Sequence, residues 1–275
     1  MTQYRKQRTI AGPFEFSGIG IHTGKTSKIR VEPAPVDNGI VFVRDGVRIK
    51  AVTGNITGTA RCTTLGRETT TVSTVEHLMA CCFGFGLDNL TITIEGPEMP
   101  ILDGSARETA QKITDAGIRN QEREKTPLIV NKTVCIENAG SMVTAVPSEG
   151  FGVTVVVDYN HPVIGVQGFH YSPGDVDFQK ELAPARTFGF REELDALLEK
   201  NQALGGSLEN ALVVEKDRYM NPTRFPDEVV RHKCLDFLGD LALADTYIRG
   251  QFFAYRPGHG INSMLTARLS AQTGF

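Results

Sequence analysis

His232, Asp236 and Asp240 follow one another at four-residue steps in "DEVVRHKCLDFLGDLALAD", Asp227 to Asp245. At 3.6 residues per turn they line one edge of a helix. Val230, Cys234, Phe237, Leu238 and Leu241 recur at three- and four-residue steps, the signature of a buried helical face. A histidine and an aspartate one turn apart can share a divalent metal. A catalytic zinc takes three protein ligands from His, Asp or Glu and leaves a fourth position to water. His77, in "STVEHLMACC", is the candidate third ligand. Its neighbour Glu76 points about 100° away around the helix, where it can serve as general base toward the water at the open position, as a zincin's glutamate does. A plain surface ion pair shows the same His–Asp spacing and is worth about a few tenths of a kcal/mol. Against that reading, Val229, Gly239 and Leu243 share the edge, whereas a solvated face carries Lys and Glu. Carboxylates crowded among apolar neighbours need a partner, either a metal or a basic side chain from elsewhere.

Asp240, one turn beyond Asp236, lies past ligand reach and is suited to hold an imidazole in one tautomer. The candidate imidazole is His259 in the glycine-flanked loop "YRPGHGIN". Beside Asp240 it favours its protonated form and can give a proton to a leaving group; alternatively it caps the final helix or faces solvent. Lys233, one helical step from His232, either steadies an oxyanion or phosphate or lies along the surface as an ordinary lysine.

The elements that must carry these residues recur. In each half, strands precede a helix, and a strand, a loop and a second helix follow: "STVEHLMACCFG", "NLTITIEG", "PEMPILDGSA" and Ala106 to Ala116, then the Asp227–Asp245 helix, "GQFFAYRPG", "HGIN" and Asn262 to Ala271. The polar stretch near Arg123 to Pro127 reads as the boundary. The expectation is an α+β fold of two similar α/β-layered domains, residues 1–124 and 127–275, from a duplicated unit. Any two α+β domains look alike at this coarseness, so the repeat stands as an expectation. A βαβ insertion at about 186–216 interrupts the second unit, and the apolar edge of its helix consists of Leu194, Leu197 and Leu198.

The 275 residues suffice for two cores. A net charge of −3 without a basic tract argues against nucleic acid. No apolar run reaches the ~18 residues of a membrane span, and "MTQYRKQRTIAGPF" lacks the apolar run of a secretory signal. Five cysteines without CxxC spacing point to reduced thiols and a cytoplasmic protein, expected to be monomeric.

With these motifs in place, the chain resembles the UDP-3-O-acyl-N-acetylglucosamine deacetylases of lipid A synthesis. The resemblance rests on "GIGIHTG", "STVEHLMA", "PILDGSA", "DYNHP", "RTFGF", "LGGSLENALV", "VVRHKCLDFLGDL" and "AYRPGHGIN", in order from Gly12 to about Leu269. It implies zinc, or iron on the same ligands, at His77, His232 and Asp236, with Glu76 as general base. It implies His259, supported by Asp240, as charged acid or oxyanion stabiliser, Thr187 as a donor to the oxyanion, and Lys233 near the sugar or phosphates. The insertion becomes a passage for the substrate's acyl chain, lined by Phe188, Phe190, Leu194, Ala203, Gly206, Ser207, Leu208, Ala211 and Val213. Tyr159 matches a position that packs on uracil and His22 one near the diphosphate. The partner implied is an acylated UDP-amino-sugar. Arg191, Leu208 and Asn210 lie where the family varies, which leaves acyl length open. Two other functions fit the bare residues, a non-catalytic binder of a nucleotide sugar or acyl ligand and a hydrolase of a different acylated amine.

Overall fold

The computed structural model describes residues 5–273, so residues 1–4 and 274–275 of the two expected domains lie outside the described residues. Strand β1 (Arg5–Ile10) precedes β2 (Phe14–Ile19), β3 (Thr26–Pro33), β4 (Ile40–Arg44) and β5 (Val47–Lys50). A small sheet of β6 (Ile56–Gly58), β7 (Thr64–Arg67) and β8 (Thr70–Val72) leads into helix α1 (Glu76–Phe85). Then come β9 (Leu90–Glu95), α2 (Arg107–Ala116) and β10 (Ile118–Lys125). The second half begins with β11 (Leu128–Ile129), β12 (Val134–Asn138), β13 (Ser141–Val146), β14 (Phe151–Asp158) and β15 (Val166–Tyr171). An inserted unit follows, made of β16 (Phe188–Phe190), α3 (Leu194–Glu199) and β17 (Leu212–Val214), with β16 and β17 parallel. Helix α4 (Glu228–Leu241), β18 (Ile248–Tyr255) and α5 (His259–Thr273) complete the chain.

The two large sheets share one wiring. The first runs β2-β3-β9-β4-β5 and the second β12-β13-β18-β14-β15. In each, an antiparallel hairpin meets the central strand antiparallel, and a second hairpin joins it through a parallel pairing. Alternate residues of β3 and β18 are buried, as a half-covered sheet requires. Their apolar faces and helices α1 and α4 form one continuous core cluster that includes Ile29, Phe42, Met79, Phe237 and Phe252. The mix of sheets and helices is the expected α+β class.

Helices α1 and α4 cross where a glycine permits it. A Cβ on Gly239 would sit 2.2 Å from the carbonyl oxygen of Glu76, so only a bare Cα lets the backbones approach this closely. That crossing brings Glu76 and His77 opposite the polar edge of α4.

Three details differ from the expectations. Arg123 to Lys125 of the polar stretch read as a boundary belong to β10, an exposed and largely polar strand antiparallel to β1, while Thr126 and Pro127 separate it from β11. Leu198 is 42% exposed, since on so short a helix only Leu194 and Leu197 turn inward to the cavity. His259 is the first residue of α5 and not a loop residue; its flanking glycines hid the helix start.

Candidate active site

The polar stripe of α4 is buried: His232 and Asp236 are each 2% exposed and Asp240 is 0% exposed. A surface ion pair is thereby excluded for this helix. His232 Nε2 lies 3.3 Å and His77 Nε2 3.9 Å from Asp236 Oδ1, and the donor atoms of all three residues lie within 4.8 Å of one another. The rings of His77 and His232 meet edge to face with centroids 5.1 Å apart.

Hydrogen bonding fixes which atoms point inward. His232 Nδ1 is 3.1 Å from the Ala185 carbonyl oxygen. A carbonyl only accepts, so Nδ1 carries the hydrogen and Nε2 presents a lone pair. Burial depresses the His232 imidazole against the pull of Asp236. Burial, reinforced by His232, pushes His77 down to about 3. Burial opposes charge on Asp236, yet His232 and the Lys233 ammonium hold its carboxyl well below the usual range. Lys233 Nζ donates to Asp236 Oδ2 at 2.8 Å, leaving Oδ1 for the histidines. Two imidazoles held neutral, His232 presenting its Nε2 lone pair, and a carboxylate oxygen therefore converge in one largely buried space, the donor types a divalent metal takes. The 3.3 Å between His232 Nε2 and Asp236 Oδ1 matches the roughly 3.3 Å edge of a tetrahedral zinc site with ~2.0–2.1 Å bonds, and the 3.9 Å from His77 Nε2 is longer. The donor set fits a divalent metal.

A second cluster adjoins the first. Glu76 is 3% exposed; its Oε2 accepts the Thr63 backbone N–H at 3.0 Å, and its Oε1 lies 3.9 Å from His259 Nε2. Burial raises its carboxyl to about 7, opposed by His259 and assisted by Asp236. His259 Nδ1 donates to Asp240 Oδ2 at 2.9 Å. Burial and a position at a helix N-terminus both disfavour its charge. The Asp240 carboxylate outweighs them, and the imidazole rises to about 9. Asn262 Nδ2 donates to the same oxygen at 2.9 Å, and Thr63 Oγ1 donates to Asp240 Oδ1 at 2.6 Å.

Both clusters open into a cavity of about 800 Å³. Thr187, Lys233, Tyr159, His22 and every expected passage position line it. Tyr159 packs edge-on against Phe188 at 5.9 Å and tilted against Phe190 at 5.6 Å. Lys233 lies 5.6 Å from the Phe188 ring centroid. His22 is lowered by burial despite Glu98 nearby, and its backbone N–H donates to Glu98 Oε1 at 3.0 Å. Asp240 stands behind the wall. Arg186, at the head of "RTFGF", anchors Thr187 and Phe188 through a buried ion pair with Glu228 at 2.8 Å. Sequence reasoning missed Thr63, Asn262, Glu98 and this pair. Only Asn262 carried a local signal, three residues after His259 and so on the same helical edge.

A family model described as UDP-3-O-acyl N-acetylglycosamine deacetylase matches residues 7–271. A Myxococcus xanthus (strain DK1622) protein named UDP-3-O-acyl-N-acetylglucosamine deacetylase is 42% identical over 269 residues, 96% of this chain and 86% of the relative. A protein of the same name from Nautilia profundicola (strain ATCC BAA-1463 / DSM 18972 / AmH) is 41% identical over 273 residues, 98% of this chain and 94% of the relative. One from Syntrophotalea carbinolica (strain DSM 2380 / NBRC 103641 / GraBd1) is 41% identical over 271 residues, 96% and 88% respectively.

Proposed function

The chain belongs to the UDP-3-O-acyl N-acetylglycosamine deacetylase family, and from that membership we propose that it hydrolyses the 2-acetamido group of UDP-3-O-acyl-N-acetylglucosamine in lipid A biosynthesis. The products are acetate and UDP-3-O-acyl-glucosamine. His77, His232 and Asp236 would hold zinc, or iron on the same ligands. When bound, the metal supplies a Lewis acid for the acetamide carbonyl and makes water acidic enough to attack near neutral pH. Glu76 takes the proton of the attacking water as the new C–O bond forms. Protonated His259 faces Glu76 across the site and, with the Thr187 hydroxyl, donates to the developing oxyanion. The C–N bond then breaks, and the leaving sugar nitrogen takes a proton from Glu76 or His259. Asp240 keeps His259 charged and oriented. Lys233 holds Asp236 and stands at the cavity wall, where it can meet the sugar or a phosphate.

The acyl chain would lie in the passage between β16, α3 and β17, with Tyr159 on the uracil side and His22 near the diphosphate. No helix among the described residues is long and apolar enough to cross a membrane, and the five cysteines form no disulfide. The protein would act in the cytoplasm as a monomer.

The convergence of three unprotonated donors on one buried point, beside a neutral-range carboxyl, carries this reading. Metal content of the purified protein, native and His232→Ala, tests it alongside deacetylation of the UDP-sugar substrate. About one zinc or iron per chain, lost together with activity in the variant, is the expected result. A metal-free protein with chelator-insensitive activity would overturn it.

A further inference from the structure

Thr63 sits between β6 and β7, behind the cavity wall to which Thr59 and Arg61 contribute, and is completely buried. All three of its polar groups are committed. Its N–H donates to Glu76 Oε2 at 3.0 Å. Its carbonyl accepts the N–H of Val75, the residue that opens α1, at 3.3 Å. Its hydroxyl donates to Asp240 Oδ1 on α4 at 2.6 Å. The first two bonds fix where the carboxylate of Glu76 begins and ends; the third reaches across to the other half of the molecule.

The hydroxyl's target has a divided load. Asp240 Oδ2 already accepts from both His259 Nδ1 and Asn262 Nδ2 at 2.9 Å. Oδ1 has Thr63 as its hydrogen-bond donor. With one oxygen held from each side, the carboxylate cannot swing about its Cβ–Cγ bond, and the imidazole hung from it cannot tilt. The 3.9 Å gap between His259 Nε2 and Glu76 Oε1 is then the distance between two groups suspended from the same residue. A carboxylate that orients a catalytic imidazole is itself oriented by its own donors, and losing such a donor typically costs about 10- to 100-fold in activity or metal affinity.

We propose that Thr63 is a positioning residue that sets the spacing between the Glu76 carboxylate and the His259 ring, acting through its backbone N–H on the one and through Asp240 on the other. The inference rests on the acid–base roles given to Glu76 and His259 above. Because Thr63 touches neither the metal ligands nor the cavity, its loss should leave metal and substrate binding in place and slow the chemical step alone.

Thr63→Val keeps the β-branched volume, the N–H and the carbonyl, and removes only the hydroxyl. Thr63→Ser keeps the hydroxyl and removes a methyl group. Both are compared with the native protein in kcat, KM, metal content and thermal midpoint, with Glu76→Gln measured in parallel. The expected result is a kcat lowered about 10- to 100-fold in Thr63→Val, a KM within about twofold, and an unchanged metal content. Thr63→Ser should recover kcat to within about threefold of the native value. If Thr63→Val does not fold, Thr63→Cys replaces it, with the weak Sγ donor expected to give an intermediate kcat. A native kcat in Thr63→Val beside an inactive Glu76→Gln would overturn the positioning role and leave the acid–base assignment standing. A fully active Glu76→Gln would remove the assignment and the inference with it. Equal losses in the Val and Ser variants would reduce Thr63 to packing.

Discussion

Glu76 and His259 are both largely buried ionisable groups at the cavity wall, and the protein moves each toward the opposite of its ordinary state. Burial lifts the carboxyl to about 7, and Asp240 lifts the imidazole, against its burial, to about 9. Two facing groups with separated titrations are the mark of an acid and a base assigned by environment. With the base and acid roles proposed for them, Glu76 ionised and His259 protonated is the active form, so kcat/KM should rise with pH through the first group and fall through the second. A bound divalent cation beside Glu76 draws the acid limb below its metal-free value. In His259→Gln the fall at high pH should vanish; a persisting basic limb assigns it to another group. Glu76→Ala should keep its metal and lose roughly 10²- to 10⁴-fold in rate, and full activity there would end its role as base. The candidate pair His232 and Asp236 was legible at this scale because a four-residue spacing is a local statement about one helix. Thr63 was not, because its partner Asp240 lies 177 residues away and only the folded chain brings them together.

Among elements, the crossing of α1 and α4 positions the whole site. Gly239→Ala would drive a methyl group into the Glu76 carbonyl, which is backbone and cannot rotate aside. Urea unfolding should show a loss of about 1–3 kcal/mol, the usual cost of overpacking, together with weaker metal binding as His77 is pushed off Asp236. A variant that binds metal normally would show that the crossing tolerates more space than its geometry indicates. The Arg186–Glu228 pair has a parallel task at the start of α4. Burial opposes the Glu228 charge, but Arg186 and the backbone donors of Arg224 and Arg186 hold its carboxyl below the usual range. A group depressed in the folded state stabilises above its unfolded pKa, and that share disappears as pH falls through the folded value. Glu228→Gln should therefore cost about 3–5 kcal/mol near neutral pH, with the difference from the native protein shrinking in acid. A constant difference across pH would place the effect in packing. The periodicity of apolar residues is enough to mark α4 as a helix, whereas the start of α5 is hidden: "GHGIN" carries loop residues, and only the bond from His259 to Asp240 shows why a helix begins there.

At the scale of the molecule, two sheets with the same wiring each present helices to a shared core, and the site lies on the seam. Glu76 and His77 come from α1, and His232, Asp236, Asp240 and His259 come from α4 and α5. A metal at His77, His232 and Asp236 would staple the halves. Zinc added to chelator-treated protein should then raise the thermal midpoint by the linkage of binding to folding, about 2.7 kcal/mol at a hundredfold excess over Kd. His232→Ala should lose most of that shift, and an equal shift in the variant would place the stabilising metal elsewhere. The order of elements in each half was visible in the sequence as a recurrence of helix, strand, loop and helix. The β1–β10 ribbon was not, because its residues are mostly polar, those of β10 mostly exposed, and they leave no hydrophobic alternation to read.

The long span between Thr63 and Asp240 also sets a clock on the growing chain. At about 5–20 residues per second of synthesis, the turn that holds Glu76 emerges roughly 10–35 seconds before its counterpart on α4. During that interval the Glu76 carboxylate and His77 have no opposing helix and no partner ligands. A nascent first half can collapse around its own sheet, but it can neither retain a three-ligand metal nor cleave an amide until α4 and α5 have followed it out. Catalytic competence is thus delayed by the topology itself until α5 has been made.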